Sequence, residues 1–117
     1  MGLRLDFIYS DFATERIGVP EGDHEFRAAF LAASSRVINE LNLRAHASGT
    51  IVSALDEDTA LDTWYLSALR AGLMYELNDT RWKTTTTTDL MGIYSMEVKK
   101  AWTEYFSNNA PAGPLGA

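Results

Sequence analysis

The feature that most constrains the fold is an apolar residue at every third or fourth position along three separate stretches of the chain. In the first stretch, these positions are Phe26, Phe30, Ala33, Val37 and Leu41. This spacing brings their side chains to one face of an α-helix, while charged residues occupy the opposite face. Asp23 is a favourable N-cap residue, and the pattern therefore predicts a helix over 23–45.

Two further helices are predicted from the same spacing. The second set of positions is Leu61, Tyr65, Leu69, Leu73 and Leu77, and it predicts a helix over 59–78. The third set is Leu90, Ile93, Tyr94, Val98, Ala101, Trp102 and Tyr105, and it predicts a helix over 89–106. We expect most of these apolar positions to be buried, including Val98 and Trp102.

The segments around these helices are predicted to be extended or irregular. Alternating apolar residues from Leu3 to Tyr9 predict a strand or an extended arm, and the β-branched run from Thr50 to Leu55 predicts another short strand. Pro111 and Pro114 exclude a regular helix near the C-terminus. The predicted fold is mostly α: a small bundle of three main helices with short extended N-terminal and C-terminal segments. We assign 1–22 to an extended arm, 23–107 to the helical domain and 108–117 to a flexible tail.

The composition excludes several classes of function. Sixteen acidic against ten basic residues give a net charge of −6, whereas a protein that grips nucleic acid normally has a basic face. Without cysteine, the chain has no disulfide scaffold, no thiolate metal site and no thiol nucleophile. No apolar run approaches the roughly 18 residues of a transmembrane helix, so we expect no membrane association.

The densest group of candidate catalytic or metal-binding side chains consists of Asp56, Glu57, Asp58 and Asp62. A calcium loop would need a glycine and a final glutamate that are missing here. A catalytic carboxylate pair would need a base or an apolar pocket nearby to separate the two pKa values. We interpret the group as the solvated acidic edge of a helix start. His24 and His46 lie at opposite ends of the first predicted helix, so they cannot share a metal ion. We therefore predict no cofactor and no enzymatic activity.

Three residues are predicted to lie at an interface between subunits. Trp64 falls beside the main apolar face of its predicted helix, and Trp82 lies in the polar connection that ends in five threonines. Tryptophans outside a core are typical of protein interfaces. Gly72 lies inside a predicted helix, where glycine costs about 1 kcal/mol relative to alanine. It therefore indicates close backbone packing, either within the fold or against a neighbouring subunit.

Several features from 23 to 107 occur together in a known arrangement. They are Phe26, Phe30, the run Asn39-Glu40-Leu41-Asn42, Arg44 with Ala45, and a small-residue-rich helix that ends in Gly72-Leu73-Met74-Tyr75-Glu76-Leu77. A polar loop, another amphipathic helix and a Pro/Gly tail follow. In this order of elements, the chain resembles the head-to-tail connector proteins of tailed bacteriophages, also called adaptor or head-completion proteins.

The resemblance implies a structural role without catalytic residues. Such proteins form a ring, usually of twelve copies, that joins the portal at the head vertex to the tail and lets DNA pass without sequence-specific binding. The implied partners are other copies of the chain, the portal protein, and tail or neck proteins. The implied location is the neck of the virion, after synthesis in the host cytoplasm.

The resemblance also suggests roles for two groups of residues. The acidic residues Asp56, Glu57, Asp58 and Asp62 become candidates for the lumen of the ring, where negative charge repels DNA phosphates. The tail becomes a candidate for binding the portal or a neighbouring subunit, through Asn108, Asn109, Pro111, Pro114 and Leu115.

Two other functions remain open at this stage. One is a small soluble helical module that binds or regulates a cellular partner as a dimer. The other is a small acid/base enzyme without a recognisable motif. A ring of many copies would distinguish the connector from the dimer. Loss of an activity on changing Asp56 or Asp62, without structural change, would favour the enzyme.

Overall fold

The computed structural model describes residues 2–13, 22–78 and 89–109. They form four α-helices: α1 (Asp6–Ser10), α2 (His24–Arg44), α3 (Leu66–Asn78) and α4 (Leu90–Asn109). A 3-10 helix over Thr63–Tyr65 leads directly into α3. Over these residues, extended pairing is limited to a single antiparallel bridge between Arg4 and Asp58. The predicted mostly α fold with three main helices is confirmed.

Helix α2 begins where its capping residue predicts. The carboxylate of Asp23 accepts a hydrogen bond from the Phe26 N–H at 2.9 Å, and Asp23 itself has an extended backbone. The apolar face of α2 is buried together with Ser34, whose hydroxyl donates to the Phe30 carbonyl at 2.8 Å. The helix therefore contributes one continuous buried face to the core.

Helix α3 packs against both α2 and α4, and Gly72 lies where the three helices meet. A Cβ atom on Gly72 would lie 2.7 Å from Cγ1 of Val37 and 2.9 Å from Cε1 of Tyr94. Side-chain carbon atoms do not approach each other so closely. The glycine is thus accounted for by packing within one subunit, rather than by the predicted interface between subunits.

Residues 6–10 form a helix, where the sequence predicted part of a strand or an extended arm. Leu5, Ile8, Tyr9 and Phe12 are buried, and their steps of three and four are those of a helix. Phe7, which the alternating pattern placed beside Leu5 and Tyr9, is 71% exposed. The rings of Tyr9 and Phe12 pack against Phe30 with centroid distances of 5.1 and 5.8 Å. Residues 6–13 therefore belong to the core.

The predicted strand from Thr50 to Leu55 is an irregular loop. Its turn is held by the carboxylate of Glu57, which accepts hydrogen bonds from the N–H groups of Ser53 and Ala54, both at 2.8 Å. Because a side chain satisfies these backbone groups, they need no partner strand.

The second predicted helix begins later than expected. Thr59 donates its N–H to the Leu3 carbonyl at 3.0 Å, and Leu3 donates to the Leu61 carbonyl at 2.9 Å. Residues 59–61 thus pair with the N-terminal segment instead of entering α3.

The third predicted helix is longer and presents one residue differently. Helix α4 continues to Asn109, so Asn108 and Asn109 form its last turn and not the start of the predicted tail. Val98 is buried as predicted, but Trp102 is 43% exposed. The prediction that Trp102 belongs to the core is wrong, because the buried face of α4 runs through Tyr94, Val98 and Ala101.

Candidate functional site

Helix α4 exposes a row of large apolar side chains beside its buried face. We call this row the α4 stripe. It consists of the apolar residues Met91, Trp102 and Phe106 together with Ser95, which lies between them. Its members are four or seven residues apart, so they share one side of the helix. Met91 is 59% exposed, Trp102 43% and Phe106 46%. Neighbouring exposed side chains of this size are typical of a surface that binds another protein.

The C-terminal end of the α4 stripe is aromatic. The rings of Trp102 and Phe106 are 4.6 Å apart, and Phe106 also contacts the edge of Tyr105. His46 stacks on Tyr105 with a centroid distance of 4.8 Å. His46 has a positive φ of 56°, which turns the chain sharply after α2. The turn places the imidazole of His46 against the aromatic side chains of α4.

The side of the α4 stripe that faces α2 is basic. A shallow groove there is lined by Arg44, Ser95, Val98, Lys99 and Trp102. Arg44 forms an ion pair with Glu40 at 3.5 Å, whereas Lys99 has no ion-pair partner within the described parts of the chain. Glu97 pairs with Lys100 at 3.7 Å. It lies more than 100° around the helix from the stripe, so Lys99 is the charge beside the stripe that no described residue balances.

The predicted acidic group forms an exposed loop. We call Asp56, Glu57 and Asp58 the acidic loop; Asp62 follows it at the start of the 3-10 helix, also exposed. Asp58 accepts hydrogen bonds from the N–H groups of Gly2 at 3.0 Å and Ala60 at 2.7 Å. These bonds, led by that from Gly2, lower the pKa of Asp58. The bonds from Ser53 and Ala54 likewise lower the pKa of Glu57. Two of the four predicted acidic residues therefore also hold the loop together.

A second shallow groove lies between the acidic loop, α1 and α2. Its apolar lining comes from Leu31, Ala54 and Leu55, and the carboxylates of Asp6 and Asp56 lie at its edge together with Arg27. We call it the acidic groove. The guanidinium of Arg27 lies 5.8 Å from the ring centroid of Tyr9. Sequence patterns do not predict this groove, because its lining comes from three segments that are distant along the chain.

The remaining predicted site residues have different positions. Trp64 is half-buried, packs against the core, and has its ring centroid 5.7 Å from that of Tyr65. Its indole N–H has no acceptor among the described residues. Trp82, Pro111, Pro114 and Leu115 lie outside the described residues, as does the run of threonines. That Trp64 contacts another subunit stays a prediction.

No group of three His, Asp or Glu side chains in the described parts of the chain could hold a metal ion. Within residues 2–13, 22–78 and 89–109, no helix is both long enough and apolar enough to cross a membrane. When the chain was compared with protein-family models, with curated proteins and with solved structures, none of them matched.

Proposed function

We propose that this chain is a structural protein of a tailed bacteriophage, a head-to-tail connector that forms a ring between the portal and the tail. The observation that best supports this proposal is the α4 stripe. Three large apolar side chains are exposed along one side of a helix, next to the face through which that helix packs into the core. Such a surface binds another protein, because its burial removes apolar area from water.

The exposed acidic residues support a lumen that DNA can traverse. Asp56, Glu57, Asp58 and Asp62 are all exposed, and the whole chain carries a net charge of −6. Hydrogen bonds from backbone N–H groups lower the pKa of Glu57 and of Asp58, which keeps both carboxylates charged in mildly acidic solution. A negatively charged wall repels phosphates and leaves the DNA free to slide.

The proposed partners follow from this role. Copies of the chain form the ring, with twelve as the proposed number, and the ring contacts the portal on one side and tail or neck proteins on the other. We propose that the segment after α4, with Pro111, Pro114 and Leu115, binds the portal or a neighbouring copy. Asn108 and Asn109 end α4 and would set the direction in which this segment departs.

The proposal is tested by adding the purified chain to heads that carry the portal but lack a neck, and measuring the copies bound per head after sedimentation. Wild-type protein is expected to bind in a fixed number above six. Trp102→Glu is expected to lower this number strongly, because it puts a charge into the α4 stripe. Leu43→Glu is the matched control, since Leu43 is 81% exposed on α2 and does not line the groove beside the stripe. Failure of the wild-type chain to bind portal-bearing heads would contradict the proposal and favour the dimeric binding module.

A further inference from the structure

We propose that neighbouring copies of this chain associate head to tail, with the α4 stripe of one copy seated in the acidic groove of the next. The inference rests on the ring function proposed above and names the two surfaces that would build the ring. It follows from the shape and the charge of these surfaces and from their positions near opposite ends of α2.

One charged side chain on each surface is available to pair with the other surface. Lys99 flanks the α4 stripe together with Arg44, which pairs with Glu40, and Asp56 lies at the edge of the acidic groove together with Asp6 and Arg27. Asp6 pairs with Arg4 at 2.9 Å. Lys99 and Asp56 are both exposed, and neither has an ion-pair partner among the described residues. A contact between copies would give each of them a partner of opposite charge, and it would leave Glu57, Asp58 and Asp62 as the acidic residues proposed for the lumen.

The two surfaces are also complementary in their apolar parts. The stripe projects Trp102 and Phe106, and the acidic groove offers a recess lined by Leu31, Ala54 and Leu55. A large aromatic side chain that enters an apolar recess is the usual centre of a protein interface, with charged pairs around it.

The positions of the two surfaces determine the type of association. Arg27 lines the acidic groove and Arg44 lines the groove beside the stripe, and both lie on α2. The seventeen residues between them correspond to about 25 Å along the helix axis. A copy therefore cannot fill its own acidic groove with its own stripe. Association through two different surfaces is heterologous, and it produces a ring when the rotation between copies closes.

A symmetric dimer through the α4 stripe is the competing arrangement. It would bring Lys99 of one copy towards Lys99 of the other, whereas Arg44 is already paired with Glu40. Like charges facing each other across an interface oppose association, so the charge pattern favours the head-to-tail arrangement.

The absence of cysteine from the chain allows a direct test by site-specific cross-linking. Ser95→Cys marks the stripe and Ser53→Cys marks the acidic groove, and both substitutions replace an exposed serine by a residue of similar size. Ser67→Cys is the matched control, because Ser67 is an exposed serine on α3 that lines neither groove. The single-cysteine full-length chains are mixed in pairs, both alone and with portal-bearing heads, and treated with a short bis-maleimide.

The proposal predicts cross-links between Ser95→Cys and Ser53→Cys chains at a yield at least tenfold above either pairing with Ser67→Cys. Cross-links only between two Ser95→Cys chains would overturn it in favour of the symmetric dimer. A portal-bound ring without the mixed cross-link would overturn this inference and leave the connector function standing. The mixed cross-link without any binding to heads would retain the inference and overturn the connector function.

A charge exchange provides a second test that does not depend on cysteine chemistry. Lys99→Glu and Asp56→Lys, each alone, are expected to weaken self-association on the order of tenfold in sedimentation velocity, because each replaces an attraction by a repulsion. The chain that carries both substitutions is expected to recover most of this loss. A double variant that associates no better than the single variants would show that the two residues do not meet, and would overturn the proposal.

Discussion

Gly72 allows three helices to approach each other closely. Its missing side chain leaves room for both methyl groups of Val37, which would lie 2.7 and 2.8 Å from a Cβ atom. In an isolated helix, alanine is more favourable than glycine by about 1 kcal/mol, so packing decides the sign of the substitution. The sequence indicated close packing at this position but could not say whether the neighbour belonged to the same subunit, because both cases require a small residue.

We predict that Gly72→Ala lowers the free energy of unfolding by about 1–3 kcal/mol, since the added methyl group overpacks the contact with Val37. Urea denaturation measures this change. Ser67→Ala, at an exposed position of the same helix, is the control and is expected to change the stability by less than about 0.5 kcal/mol. Val37→Ala combined with Gly72→Ala is expected to cost less than the sum of the single changes, because the truncation removes the clashing methyl groups. A stabilised Gly72→Ala variant would contradict this account.

Tyr65 fixes the turn after α2 through a buried hydrogen bond. Its hydroxyl donates to the Ala45 carbonyl at 2.7 Å, and burial raises the pKa of the phenol. We predict that Tyr65→Phe lowers the free energy of unfolding by about 1–3 kcal/mol, because the carbonyl loses its partner. Thermal unfolding monitored by circular dichroism measures the loss. Tyr75→Phe, at a half-buried tyrosine on α3, serves as control. Equal, negligible effects of the two substitutions would show that the bond is not needed.

Among the elements, α1 differs most from its prediction. Leu5 and Tyr9 fit both an alternating pattern with Leu3 and Phe7 and a helical pattern with Ile8 and Phe12. Over so few residues, the period of a strand and the period of a helix fit the sequence equally well. The contacts that decide between them are those of Tyr9 with Phe26 and Phe30 on α2. The long helices were predictable because their patterns extend over many turns. The acidic groove was not, because it depends on how α1, α2 and a loop meet.

A pair of phenylalanines tests whether α1 belongs to the core. We predict that Phe12→Ala lowers the free energy of unfolding by about 3–5 kcal/mol, because Phe12 is fully buried. Phe7→Ala is the matched control, since Phe7 is largely exposed, and we expect a change below about 0.5 kcal/mol. Guanidinium denaturation of the two variants measures both effects. If Phe12→Ala were as stable as Phe7→Ala, the segment formed by α1 and the turn after it, residues 6–13, would not be part of the folded core.

The loop from Ser53 to Ala60 is stabilised by carboxylates that must be ionised. The pKa values of Glu57 and Asp58 are lowered in the folded chain, so the folded state binds fewer protons than the unfolded state. Their contribution to stability is complete above about pH 5, above the unfolded pKa values, and it is lost as the pH falls through the lower folded values. We predict that Glu57→Gln reduces the loss of stability between about pH 5 and pH 3. Urea midpoints across this range provide the measurement.

Asp62→Asn is the control for this pH dependence, because the side chain of Asp62 makes no capping hydrogen bond. It is expected to leave the acid limb of the stability curve close to that of the wild type. If the stability of Glu57→Gln fell with decreasing pH as steeply as that of the wild type, the hydrogen bonds of Glu57 would not couple its protonation to folding.

At the scale of the whole molecule, the stripe and the acidic groove lie towards opposite ends of α2, and Lys99 beside the stripe and Asp56 at the groove have opposite charges. The apolar pattern from Leu90 to Tyr105 correctly predicted the third helix but wrongly placed Trp102 in the core. A wide apolar face does not show which of its residues enter the core and which stay exposed. That distinction depends on the angle at which α3 meets α4. It is also the distinction that creates the proposed binding surface.

Cryo-electron microscopy of the neck of portal-bearing particles assembled with this chain tests the connector role most directly. The account predicts a closed ring of copies below the portal, with the α4 stripe of each copy against the acidic groove of the next. Particles whose necks form without the chain, or a chain that occurs only as a free symmetric dimer, would contradict it.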